Sequence, residues 1–288
     1  MQFQWDQLRA LSAAVSEGSF EGAAVALHIT ASAVSQRIKA LESQAGRILV
    51  RRTKPVRPTE AGIPILRLAR QLDLLTGDAV RAMSEASAPM VTIPVVVNAD
   101  SLDTWVLPAM LEVPGVALEL HREDQDHSTV LLRDGTVMAA ITATAKPVQG
   151  CSVTRLGVMR YRVMASSSFR DRWFADGVSA EALAVAPVVA FDRKDQLQDR
   201  YLVSRGVSPE VPPRHFVPAS AGFAQAVRLG LGWGMLPVLQ IGDGEGLVEL
   251  DRAGFEDVPL YWQQWRMESS ALAGLAEAVM RRAAEGLR

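Results

Sequence analysis

A single cysteine, Cys151, stands in 288 residues. One thiol excludes an internal disulfide framework and suits a reducing compartment, so a cytoplasmic location is expected. Of the four histidines, His121 and His127 flank acidic residues. No cysteine or third histidine joins them at metal-ligand spacing, so no metal is expected. No stretch approaches the roughly 18–20 uncharged apolar residues of a membrane span, and no membrane partner is expected. Residues 1–20 carry Asp6, Arg9 and Glu17 and do not read as a secretory signal. Repeats and low-complexity tracts are missing, and so is the Gly-x-Ser-x-Gly nucleophile elbow. Gly230-x-Gly232-x-Gly234 follows a helical stretch and leads into a strand, the reverse of a dinucleotide loop. Neither a catalytic group nor a cofactor is expected. The net charge is only −2, which lacks the global basic excess of a nucleic-acid binder. What is present is a 49% hydrophobic content over a length that fits two domains.

The charge is unevenly spread. Residues 31–57 hold seven Lys/Arg against one acid, Glu42, a local excess of +6 in a chain that otherwise sums to −8. Clustered positive charge is what phosphate contacts require. Around it the apolar spacing is helical. Leu8, Leu11, Ala14 and Val15 mark a first helix that Gly18 ends. Ser19 can cap a second, with Phe20, Ala23, Ala24 and Leu27. After the turn His28-Ile29-Thr30, Ala33, Val34, Ile38 and Leu41 give a third helix, 31–44, an inner face. Ser32, Ser35, Gln36, Arg37 and Lys39 form its outer face. This is a helix-turn-helix plan, with Gln and Arg suited to base edges in the major groove. Two short strands around Arg52 and Lys54 read as a basic wing.

Gly18-Ser19-Phe20, Ala23-Ala24, Leu27, Ser32 through Ile38, Leu41-Glu42, Gly46 and Pro58 through Gly62 resemble the signature of LysR-type transcriptional regulators. Leu49-Val50-Arg51-Arg52 departs from the Leu-Phe-Arg common there. Thr59 can cap a helix to about residue 85. On it Ile65, Leu68, Leu72, Leu75, Ala79 and Ala82 form a heptad seam that suits pairing with a second copy. Ser84 to Pro89 reads as a hinge. Pro64, near the helix start, is expected to cost a hydrogen bond or add a kink. The resemblance implies a homodimer built through this helix and further association into a homotetramer. It also implies a roughly palindromic site on double-stranded DNA and contact with RNA polymerase.

The rest alternates strand and helix: strands at 92–97, 116–120 and 137–142, then 187–191, 215–217 and 233–236, with helices at 101–111, 128–134, 196–204 and 221–229. Such alternation predicts mostly parallel sheets covered by helices. The expected fold is α/β with an all-α N-terminal part. Residues 1–58 are a winged helix-turn-helix and 59–89 a dimerising linker helix and hinge. Residues 90–288 are a periplasmic-binding-protein-like domain of two lobes, 90–162 with 266–288, and 163–265.

Ligands in such sheets bind beyond strand carboxyl ends, near helix N-termini. The loops there hold Asn98, Asp100, Ser101, Glu123, Asp124, Thr142, Asp192 and Ser220. Hydroxyls and amides suit an anion, and clustered acids suit a cation, so a basic amino acid fits both. Ser101, taken as a helix cap, and Thr142 would hold its carboxylate. Asp100 or Glu123 would hold the α-ammonium, and Asp124 or Asp192 the distal cation. Asn98 through Trp105, Glu123-Asp124, Gly150-Cys151, Gly157, Pro187 through Asp192, Gly222-Phe223 and Tyr261-Trp262 resemble one branch of the family, the regulators of basic amino-acid export. That resemblance implies a lysine or arginine effector between the lobes and an exporter gene as target. Two other readings stand beside it: a ligand-independent DNA-structuring or replication-origin-binding protein, and an amino-acid enzyme with an accessory DNA-binding module.

Overall fold

The computed structural model describes residues 3–83, 90–122, 125–242 and 246–288, with 125–127 described by their backbone alone. The expected hinge at Ser84–Pro89 and the candidates Glu123 and Asp124 lie outside the described residues.

The N-terminal part contains α1 (Trp5–Ser16), α2 (Phe20–Leu27), α3 (Ala31–Ala45), β1 (Val50–Arg51), β2 (Arg57–Pro58) and α4 (Gly62–Met83). Local chemistry sets each joint. The Ser19 hydroxyl accepts from the Gly22 amide at 2.9 Å and caps α2. His28 takes a left-handed conformation, φ 53°, and ends that helix. Thr30 accepts from the Ala33 amide at 3.1 Å and starts α3. Leu8, Leu11, Ala14, Ala23, Val34, Ile38 and Leu41 close the core, while Ala33 remains half-buried. β1 and β2 pair antiparallel as the wing. Glu42, the lone acid of the basic stretch, accepts from the Leu49 amide at 2.9 Å and so ties α3 to the wing. The Thr59 hydroxyl caps α4 by accepting from the Gly62 amide at 3.1 Å. Pro64 is the third residue of α4, where an amide has no intrahelical partner, so the expected cost does not arise.

Further along come β3 (Val91–Val97), α5 (Ala99–Thr104), α6 (Leu107–Met110), β4 (Val116–Arg122), α7 (Gln125–Asp134), β5 (Ala139–Thr142), β6 (Cys151–Ser166), α8 (Ser167–Trp173), α9 (Ala180–Val185), β7 (Val188–Ala190), α10 (Leu197–Ser204), β8 (Arg214–Phe216), α11 (Ser220–Arg228), β9 (Gly234–Pro237), α12 (Val238–Ile241), β10 (Leu247–Glu249), β11 (Phe255–Trp265) and α13 (Ser270–Gly286). The expected single helix over 101–111 starts two residues earlier, at Ala99, and breaks at Trp105 into α5 and α6. Its N-cap is Asn98, without a side-chain cap bond, and not Ser101.

The chain divides into two compact units. The first holds Met1–Val97, Met110–Thr154 and Trp262–Ala278; the second holds Asn98–Ala109, Arg155–Tyr261 and Val279–Arg288. In the first, β3 pairs parallel with both β4 and β5. In the second, β7 pairs parallel with β8, whereas β6 pairs antiparallel with β9 and β10. The sheets are therefore more mixed than strand-helix alternation predicted.

Within the first unit α4 buries Gly62, Leu66, Ala69, Arg70 and Leu74. This stripe differs from the heptad seam. Ile65 and Leu72 pack on the core of the N-terminal part, and Leu75, Ala79 and Ala82 are exposed. No described helix is long and apolar enough to cross a membrane.

Candidate functional site

The outer face of α3 presents Ser32, Gln36 and Lys39 to solvent, with Ser35 and Arg37 half-buried beside them. The Arg37 guanidinium lies 3.1 Å from the Asp6 carboxylate of α1. In the wing Arg51, Arg52, Lys54 and Arg57 are exposed, and the Arg52 guanidinium stacks 5.3 Å from the centre of the Phe20 ring. The seven expected DNA contacts, Ser32, Ser35, Gln36, Arg37, Lys39, Arg52 and Lys54, thus lie on the recognition helix and the wing. An amide and a guanidinium on the helix can form paired bonds to base edges, while wing cations suit phosphates.

The effector candidates divide between the units. In the second, Asp100 of α5 is the centre of a hydrogen-bonded group. The Tyr161 hydroxyl of β6 donates to one carboxylate oxygen at 2.6 Å, and Ser220 at the start of α11 donates to the other at 2.5 Å. Gln240 of α12 donates to the Ser220 hydroxyl at 2.5 Å. Desolvation pushes the Asp100 carboxyl above the usual carboxylate range against these two donors, and Asp103 adds to it. Asp195, in the loop after β7, is also raised by desolvation, against the Phe191 and Leu197 amides, with the Asp100 charge adding to the shift. Among the described residues, every group that acts on either carboxyl is a neutral donor or another acid. Desolvated carboxyls without a basic partner are poised to receive a cation.

The other candidates are placed as follows. One Asp192 oxygen accepts from the Lys194 amide at 2.7 Å and the Asp195 amide at 3.1 Å. It closes its own turn, and Asp195 is the acid that feels Asp100. At the α11 N-terminus Asp103 accepts from the Ala221 amide at 3.0 Å. Asn98 Oδ1 and Ser101 Oγ are buried without a hydrogen-bond partner among the described residues, so both retain capacity for a ligand or water. Thr142 belongs to the first unit. Its hydroxyl donates to the Thr144 carbonyl at 3.2 Å and accepts from Gln263 at 3.3 Å. Gln263, fully buried, also reaches the Thr144 and Lys146 carbonyls, each at 3.1 Å, and accepts from the Val148 amide at 3.0 Å. Tyr161, Asp195, Gln240 and Gln263 are the residues the sequence pattern did not single out. Among the described residues no cluster fit to hold a metal ion is present.

A winged helix-turn-helix with a basic outer face, followed by α/β units carrying a cation-seeking acid cluster, defines a DNA-binding, ligand-responsive regulator. Residues 5–63 match the family described as bacterial regulatory helix-turn-helix protein, lysR family, and residues 92–284 match the LysR substrate binding domain. The chain belongs to the LysR family of transcriptional regulators. It is 45% identical over 290 residues to the lysine export transcriptional regulatory protein LysG of Corynebacterium glutamicum, covering 98% of each chain. Among solved structures, ArgP from Mycobacterium tuberculosis superposes with a TM-score of 0.84 at 45% identity, covering 100% of this chain and 99% of that one. Full-length LysG from C. glutamicum with bound effector Arg gives 0.76 at 43% identity, covering 99% of each.

Proposed function

We propose that this regulator senses arginine or lysine and controls the gene of a basic amino-acid exporter. The observation that carries the reading is the Asp100 group, a desolvated carboxyl with two neutral donors and, among the described residues, no basic partner. An ammonium or guanidinium would supply the missing charge, with Asp195 as a second acid. Asn98 and Ser101 would offer polar atoms to the rest of the ligand. The name of the LysG relative and the arginine in its solved structure support both the effector class and the export role. Residues 1–58 would bind a roughly palindromic operator as part of a homodimer or tetramer paired through 59–89. Residues 90–288, in two lobes, would hold the effector, and the active form would work with RNA polymerase in the cytoplasm. The effector acts by its different affinity for two arrangements of the DNA-binding heads.

Melting the purified protein against each of the twenty amino acids tests the effector. A shift confined to L-arginine, L-lysine or close relatives is expected, because a ligand that binds the native state stabilises it by mass action. An equal response to neutral amino acids, or none at millimolar ligand, rejects this effector class.

A further inference from the structure

Arg70, in the middle of α4, is 4% exposed. One end of its guanidinium donates to the Gly135 carbonyl at 2.6 Å and to the Thr136 carbonyl. The other donates to the Ser16 hydroxyl at 2.9 Å. Ser16 is the last residue of α1, in the DNA-binding head. Gly135 and Thr136 form the turn between α7 and β5, in the α/β part of the same unit. One side chain on the linker helix thus grips the head with one arm and the α/β part with the other.

The chemistry is unusual for a residue that serves stability alone. Among the described residues, no hydrogen-bonded carboxylate neutralises the guanidinium. Burial lowers its pKa to about 10, and Glu119, Asp134 and Asp73 oppose that only through their charges. An apolar residue of similar volume at a buried charged site often stabilises as well or better, so such a charge is better explained by the geometry it imposes. A guanidinium offers a rigid, planar fork of donors that a lysine ammonium does not.

Both ends of the grip are firm. The turn is fixed by the Thr136 amide, which donates to Asp134 at 2.9 Å. Gly135 sits at φ 81°, and an added Cβ would lie 2.8 Å from Cγ of Arg67, so glycine admits α4 at close range. Arg67 in turn stacks 5.2 Å from the Trp265 ring. Farther along α4, Asp78 accepts from the Ser270 hydroxyl at 3.0 Å. At the other end Gly18, two residues past Ser16, accepts from the wing's Val56 amide at 2.8 Å. Through Arg70 and Ser16 the turn is thereby linked to the α1–α2 joint and the wing. The turn itself joins α7 to β5, and β5 ends at the effector candidate Thr142.

We propose that Arg70 is the positioning residue that couples the DNA-binding head to the effector-binding part, gripping Ser16 on one side and the Gly135–Thr136 turn on the other. Its role in the effector response rests on the reading above; its mechanical role does not.

Amide hydrogen exchange on the full chain, wild type against Ser16→Ala, tests it. Ser16 hydrogen-bonds to Arg70, and the turn is reached through Arg70. Without ligand, removing the hydroxyl should speed exchange across residues 134–138 by about tenfold, the equivalent of one charge-assisted hydrogen bond. Unchanged exchange there overturns the proposal. Arg70→Lys, which keeps the charge but not the fork, should show the same rise. L-arginine is then added. Both proteins should gain melting temperature, but only the wild type should show altered exchange in residues 13–20. A Ser16→Ala protein that still carries the arginine response into 13–20 also overturns the coupling. Failure of the wild type to bind L-arginine rejects the effector reading instead, and the ligand-free comparison then decides the coupling by itself.

Discussion

Asp100→Asn isolates the charge that the effector reading needs. The substitution keeps shape and leaves one acceptor and one donor for Tyr161 and Ser220, but removes the negative charge. A cation that loses a desolvated carboxylate partner loses about 2–5 kcal/mol of binding, and the lower figure is about thirtyfold in Kd. At an L-arginine concentration 100 times the wild-type Kd, binding adds about 2.7 kcal/mol to wild-type stability, and the variant would keep about 0.9 kcal/mol. At about 2–4 °C per kcal/mol for a domain of this size, the arginine shift falls from about 5–11 °C to about 2–4 °C. The ligand-free protein behaves oppositely. Desolvation holds the Asp100 carboxyl above its ordinary range, so its ionised form opposes folding. Asparagine removes that penalty, and the ligand-free variant should melt no lower than wild type at neutral pH. Melting curves with and without L-arginine read both quantities. A full arginine shift in the variant refutes the reasoning, and a lower ligand-free melting point with a lost shift would mean a collapsed site and not a missing charge.

The same raised carboxyls set a pH dependence. Above the ordinary aspartate range, the stability that protonated Asp100 and Asp195 contribute is lost as pH rises through their folded-state values, while L-arginine affinity rises through that window; calorimetric titrations showing flat affinity there would contradict it. Gln263→Leu strands the Val148 amide and two loop carbonyls, so the urea midpoint should drop by the equivalent of at least about 2 kcal/mol, and an unchanged midpoint would show the clasp to be dispensable. Gln36→Ala should weaken binding to the cognate site by about 1–3 kcal/mol without lowering affinity for unrelated DNA. Arg37→Ala should also weaken the cognate site, and anisotropy titrations that separate neither variant from wild type would remove α3 from base recognition.

The N-terminal part was legible because local chemistry decides it. Ser19 and Thr30 cap, Gly46 at φ 65° ends α3, and the apolar residues repeat at helical spacing. The α/β part was legible where β3, β5 and β7 form short apolar runs. The long strand β6 was not. Its inside-outside alternation is clear only around Arg160, Tyr161, Arg162 and Val163, after Gly157 at φ 150°. Beyond them, Met164 to Ser166 are buried throughout, as happens when both faces are covered. The buried stripe of α4 was hidden from sequence for a related reason. One helix serves two surfaces, so Leu66, Ala69, Arg70 and Leu74 form a buried stripe that interleaves with the exposed end of the seam.

The effector site was legible only as far as each loop could be judged alone. Asp100 and Ser220 stood out because they follow a strand or open a helix. Nothing in the sequence joins them to Tyr161, inside a strand that was not read, or to Gln240, on a four-residue helix. Asp192 and Asp195 show the limit most clearly. Both are aspartates in one short loop, and only Asp192, at the strand end, was read as a candidate. Both are held by loop amides: one Asp192 oxygen accepts from the Lys194 and Asp195 amides, and the two Asp195 oxygens accept from the Phe191 and Leu197 amides, but burial and the charge on Asp100 raise Asp195. What separates the two is burial and the neighbourhood of Asp100, which depend on how the loop packs. That information lies in the fold, and the spacing of two aspartates in one loop does not carry it.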